Sequence, residues 1–356
     1  QKVTKQSFQL AVLIGALISQ SSLSSEVSSS FPKSLPACHE ELGQPQAVNI
    51  PQISPSPGSD INMWTTLWGE GFYSEGQFET LAERTQTAVK KAKVIAANQG
   101  LVIPSGEQLH QSSRRFGSDW VRSLSELDEI SVAVATSQVG ERQVYKVVTT
   151  EGELGYYIGI NNFSTNQNPQ WVHGREELIV SSLQDLLGED LAPSARAVQA
   201  NFDGVQGALT GLDQKIWRGV LSAEVGTHDL IDHSGALDAL RVYDALLFSF
   251  LIGGENHTGN FRVLQNGGLS RIDFEGLFHP VDLLSPNQSL SGRAHGAAGR
   301  LIPMYYSRSI LDKIKAMDRQ VVENRFSMMS KEEIEILLFW RLVILTHAEE
   351  HPDSVI

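Results

Sequence analysis

Leu81, Thr85, Val89 and Ala92 fall on one face of a helix that the spacing predicts over residues 77–99, with Gly100 placed to end it. A second helix is predicted over residues 118–127. The pattern then changes to short β-branched and aromatic runs. Residues 130–134 and 144–148 read as strands on either side of a turn containing Gly140, and 154–160 as a third after the turn at Glu151-Gly152, which makes an antiparallel meander. Helical spacing returns at Arg175–Gly188, where Leu178, Ile179, Ser182 and Leu186 lie to one side. Residues 195–202 and 205–212 read as a strand pair. From Leu237 onwards the pattern is mainly helical, interrupted at residues 253–280, and it closes with helices over 310–326 and 330–348. Ser330 with Glu333 forms a capping box at the start of the last one.

Composition narrows the class. The chain has 356 residues, 41% of them hydrophobic and 19% charged, as expected of a globular protein long enough for one large or two modest domains. Residues 19–60 depart from that texture: they are rich in Ser, Pro and Gln and too poor in apolar side chains to offset the entropy of ordering. Before them, Lys2 and Lys5 precede the apolar run Phe8 to Ile18, an order that resembles a secretory signal, with a short amphiphilic helix as the alternative. The run is too short to span a bilayer, so no transmembrane segment is expected. The division that follows is a signal-like or apolar segment over 1–25, a disordered linker over 26–62, a helical extension over 63–127, and a body divided at 213 into 128–213 and 214–356. A formal charge of −13 argues against nucleic acid as a partner. The single cysteine, Cys38, permits no internal disulfide and no Cys-rich zinc site.

The segment that carries chemistry runs from Asp244 to Gly276. A buried apolar helix delivers the chain to Gly253-Gly254, then to the polar loop Glu255-Asn256-His257-Thr258-Gly259-Asn260, a strand, a two-glycine turn and a second strand leading to Asp273. Asn260 and Asp273 fall on the two sides of one hairpin, so their oxygens can converge on a hard cation such as Mg²⁺. The histidines at 228, 233, 279 and 295 have no metal-ligand spacing and read as surface or hydrogen-bonding groups.

The loop from Glu255 to Asn260 resembles the Asp-Arg-His-x-x-Asn catalytic loop of phosphoinositide 3- and 4-kinases and their bacterial relatives, including the HipA toxin kinases. Ile272-Asp273-Phe274-Glu275-Gly276 resembles their metal-binding Ile-Asp-Phe-Gly segment. The resemblance covers residues 128–350. It implies an α+β, two-lobed protein-kinase-like fold, with a small β-rich N-lobe over 128–213 and a mainly helical C-lobe over 214–356. It also implies transfer of the γ-phosphoryl of ATP with Mg²⁺ or Mn²⁺. Asn260 and Asp273 would hold the metal, Glu255 would orient the acceptor, and His257 would support the loop. Lys146 would bind phosphate and pair with Glu176 or Glu177, the turn with Gly140 would cover the phosphates, and residues 208–214 would be the hinge beside adenine.

Three departures from that pattern bear on activity. Glu255 stands where the family has aspartate, Tyr156-Tyr157-Ile158-Gly159-Ile160 has no lysine where the family's third strand carries one, and Glu275 replaces a glycine. They give the alternative of a kinase-fold pseudoenzyme acting as scaffold or allosteric activator. The acceptor is a protein or a lipid. The scarcity of basic clusters favours a protein.

Overall fold

The computed structural model describes residues 74–109, 111–112, 127–138, 144–159, 174–188, 190–203, 205, 216–226, 228–233, 235–253, 258–274, 277–278 and 301–356. Helix α1 (Glu75–Asn98) opens with a capping box between Ser74 and Gln77. Its expected face is its buried face: Leu81, Thr85, Val89 and Ala92 are all sequestered, along with Ala82, Ala88 and Ala96. The small side chains on this stripe allow a close approach to α6 (Lys331–Glu350). Thr85 Oγ1 accepts the Ile302 N–H at 3.1 Å, so the extension joins the same core as the C-terminal helices. The helix expected at 118–127 and the segments 1–25 and 26–62 lie outside the described residues.

Five strands close a barrel in the order β1 (Asp128–Gln138), β2 (Val144–Thr149), β3 (Leu154–Gly159), β5 (Ile216–Ala223), β4 (Ala195–Asn201). The first three form the expected meander. Helix α2 (Arg175–Leu187) stands between β3 and β4, and Leu178 packs on Val220 of β5. Alternation along β2 and β3 turns Tyr145, Val147 and Tyr157 into the barrel, where they meet Val132, Val198 and Phe202. Lys146 and Tyr156, directly opposite each other, take the other face.

The partner of β4 is not where the pattern put it. It runs over Ile216–Ala223, antiparallel to β4, whereas 206–212 lies outside the described residues. The cause is long-range. Gly219 breaks the apolar run, yet the Tyr157 ring fills the space a side chain would take there, with a Cβ falling 2.4 Å from the ring. The strands of the barrel therefore continue beyond residue 213, and β5 is followed by residues 224–226, while 208–214 lie outside the described residues.

Beyond the barrel, β6 (His228–Asp229), β7 (Phe261–Val263) and β8 (Leu269–Arg271) form a small antiparallel sheet. Helix α3 (Ala239–Ile252) is buried over nearly its whole length, capped by Asp238 and stopped at Gly253. The helix expected over 310–326 is two helices, α4 (Arg308–Ala316) and α5 (Arg319–Arg325), because Asp318 caps the second through the Val321 N–H at 2.8 Å. The capping box of α6 is present as expected. The final residues return along the chain: Tyr306 pairs with Val355, and its hydroxyl meets His347 Nδ1 at 3.0 Å. Burial, with His351 and Arg84 nearby, lowers the His347 pKa to about 3, so this ring is neutral. Among the described residues no helix is long and apolar enough to cross a membrane.

Candidate functional site

The hairpin β7–β8 sets the geometry. Thr258–Asn260 form one turn of 3-10 helix that feeds directly into β7, and both Thr258 and Asn260 are buried. The Ile272 N–H donates to the Asn260 carbonyl at 2.8 Å, one step beyond the Phe261–Arg271 pair. That bond carries the ladder to the open end of the hairpin, where Asp273 is the next residue. Asn260 and Asp273 are thus brought together there, one buried and the other exposed. Asp273 has φ 59°, a left-handed conformation uncommon outside glycine and held here by its neighbours.

The hairpin is anchored on three sides. Arg271, fully buried, donates from Nη1 to the Gly253 carbonyl at 2.8 Å, tying β8 to the end of α3. Its backbone N–H donates to Leu191 O at 2.8 Å, and the Phe278 N–H donates to Ile252 O at 2.8 Å. Phe274 and Phe278 are buried on either side of the remaining segment. An exposed carboxylate is thus held on a rigid, apolar base.

Across from the hairpin stands the outer face of the barrel. Lys146 on β2 donates to Glu224 at 2.5 Å and lies 5.9 Å from the centre of the Tyr156 ring. Its pKa is raised, first by the Glu224 hydrogen bond. Glu224 is thus a carboxylate partner of Lys146 that the sequence pattern does not single out. Register explains this: Lys146, Tyr156 and Ser222 lie side by side across β2, β3 and β5, and Glu224 follows two residues after Ser222 on the same face.

Glu176 and Glu177 open the first turn of α2. Glu176 is buried beside Arg175 and Glu333. Burial raises its pKa to about 7, against the opposing effect of Arg175. Arg175 itself is locked to Glu333 by two bonds, at 2.6 and 2.9 Å. Glu255, His257 and the turn at Gly140 lie outside the described residues, as do residues 208–214.

Pattern alone passed over four participants: Arg262, Asp229, Tyr156 and Glu224. Arg262 of β7 pairs with Asp229 at 3.0 Å and donates to the Tyr156 hydroxyl at 3.3 Å, while Glu224 holds Lys146. The available signal was alternation: Arg262 is the outward residue between buried Phe261 and Val263.

The donor set fits a hard divalent cation. An amide oxygen and a carboxylate oxygen supply a fraction of an octahedral shell and leave the remainder to water and phosphate, the usual mode for Mg²⁺. Among the described residues no group of three or more His, Cys, Asp or Glu side chains is arranged for a metal, so a closed structural site of that kind is not found there.

No protein-family model matches the chain, and no curated protein does. Solved structures do. The Golgi casein kinase matches at 10% identity and TM-score 0.37, over 75% of this chain and 90% of that one. A hydra Fam20 structure with sugar matches at 12% and 0.39, over 66% and 90%. The Helicobacter pylori proinflammatory kinase CtkA matches at 13% and 0.36, over 64% and 99%. At such TM-scores these likenesses add nothing to what the chain's own topology and hairpin provide.

Proposed function

We propose that the chain is an ATP- and metal-dependent phosphotransferase of the phosphoinositide-kinase-like type, acting on a protein acceptor. The observation that carries this is the Ile272-to-Asn260 backbone bond, which brings Asn260 and Asp273 together at the mouth of a buried hairpin, in the order of the family's catalytic and metal-binding motifs. A divalent ion bound there would neutralise charge on the transferring phosphoryl group. This chain's residues supply the rest. Asn260 and Asp273 hold the ion, and Arg271 keeps the hairpin against α3. Lys146 supplies the barrel's cation for the phosphates, exchanging Glu224 for phosphate when nucleotide enters. The resemblance gives Glu255 the orientation of the acceptor, His257 the support of its loop, and the turn at Gly140 the cover of the phosphates. The acidic charge of the chain, −13, supports a protein acceptor over an anionic lipid surface and over nucleic acid.

One observation favours the second reading, a nucleotide-poor pseudoenzyme acting as scaffold or allosteric activator: Lys146 is held by Glu224 at 2.5 Å. Calorimetric titration of the full chain with ATP, with and without Mg²⁺ or Mn²⁺, decides between them. Metal-dependent binding that disappears in Asp273→Ala, with the fold retained, supports the phosphotransferase. Absence of binding in every condition transfers the weight to the pseudoenzyme.

A further inference from the structure

A side-chain bridge joins the hairpin to the outer face of the barrel. Arg262 stands in the middle of β7, two residues after Asn260 and therefore about 7 Å along the strand from it. Its guanidinium rises from the hairpin to the Tyr156 hydroxyl on β3, with Nη2 to oxygen 3.3 Å, and is steadied by Asp229 of β6 at 3.0 Å. Lys146 approaches the same Tyr156 ring from the barrel side, near enough to feel Arg262 as a like charge.

The root of Arg262 is fixed as firmly as its tip. Residues 224–226 follow the last strand of the barrel, and Gly226 (φ 73°) lies so close to β7 that a Cβ would sit 2.7 Å from Val263 O and 2.8 Å from the Arg262 Cβ. Only glycine meets both demands. β7 therefore runs from the Asn260–Asp273 end to the connector, with the Arg262–Tyr156 bridge between the two.

A nucleotide whose phosphates lie at Asn260 and Asp273 has β7 running away beneath it and Tyr156 of the barrel above. Its sugar and base would lie along β7, beneath the barrel. The bridge occupies that path. We propose that Arg262 and Tyr156 close the base end of the cleft in the free protein, so that nucleotide enters only by breaking their hydrogen bond. The proposal rests on the phosphotransferase reading above. It adds that the free protein holds its own site shut, and that Arg262 and Tyr156 set nucleotide affinity.

The test is titration of the full chain with Mg²⁺-ATP, comparing the wild type with Tyr156→Phe, which keeps the ring and removes the acceptor oxygen. Arg262→Gln, which shortens the bridge, serves as the second variant and Asp273→Ala as the control. A hydrogen bond to a charged donor that no longer has to be broken is expected to tighten binding about three- to tenfold in both bridge variants. Unchanged or weaker binding in Tyr156→Phe, with wild-type binding still lost in Asp273→Ala, overturns the bridge and leaves the metal site standing. No metal-dependent binding in the wild type and in Tyr156→Phe alike overturns the phosphotransferase reading and the bridge with it.

Discussion

Two sets of ion pairs in this molecule are built from the same chemistry and are opposite in character. Arg175 and Glu333 are 2% and 3% exposed, joined by two short bonds, and each has a further partner: Arg175 donates to Met328 O, and Glu333 accepts from Ser330 N–H. Lys146 with Glu224, and Arg262 with Asp229, keep between 24% and 35% of their side chains in solvent. In the first pair every exchange of partner would strand a charge in a low dielectric. In the second set water and ligands compete on nearly equal terms. The dry pair therefore fixes where α2 sits, and the wet pairs can open for a ligand.

The sharpest way to break this contrast is Glu333→Ala. It leaves the Arg175 guanidinium buried without its carboxylate and removes one of the two bonds of the α6 capping box, and it should cost about 3–5 kcal/mol in urea unfolding. The double variant Arg175→Met with Glu333→Met should recover most of that loss, since two apolar side chains replace a pair whose desolvation was expensive. A single-variant loss below about 1 kcal/mol would place this pair in the same class as exposed ones.

Glu176 sharpens the contrast through pH. Its carboxyl has a pKa of about 7 in the folded chain against an ordinary 4.5, chiefly because it is buried, so the native state holds a proton that the unfolded chain releases in between. Its contribution to stability is full below pH 4.5 and is lost as pH rises through 7. Glu176→Gln cannot suffer that loss. It should match the wild type at pH 4 and exceed it by roughly 3 kcal/mol at pH 8, measured by denaturant unfolding. Equal stability at both pH values would mean that the Glu176 carboxyl is solvated in the folded chain.

Local patterning reached much of this architecture. The meander, α2, the hairpin and the capping box of α6 are each set by residues close in sequence, so their signals survive without tertiary information. β5 was displaced because Gly219 makes sense only once the Tyr157 ring is known to lie over it. The break between α4 and α5 was hidden in Asp318, a polar residue compatible with a continuous helix face until its carboxylate is seen to cap Val321. The position of Asn260 and Asp273 on the two sides of one hairpin is legible in sequence, because the β7–β8 turn is local and sets it whatever the rest of the fold does. The partner of Lys146 was not. Glu224 lies 78 residues away, and only the β2–β3–β5 register brings the two side by side. Arg262 was overlooked for the same reason, since its role depends on which face of the barrel covers β7.

The smallest expected effect on the fold belongs to Glu224→Gln. Lys146 owes its raised pKa first to the hydrogen bond that it donates to Glu224, and both side chains reach solvent, so the ammonium loses a partner that water can replace. Stability should change by no more than about 1 kcal/mol. Affinity for Mg²⁺-ATP should rise, because a phosphate oxygen no longer competes with a carboxylate for Lys146, and the gain should shrink as salt screens the exchange. A stability loss well above about 2 kcal/mol with no gain in affinity would show that Lys146 and Glu224 belong with Arg175 and Glu333 as a structural lock. It would also remove Lys146 from the phosphate site, because a cation that cannot leave its carboxylate cannot serve a ligand.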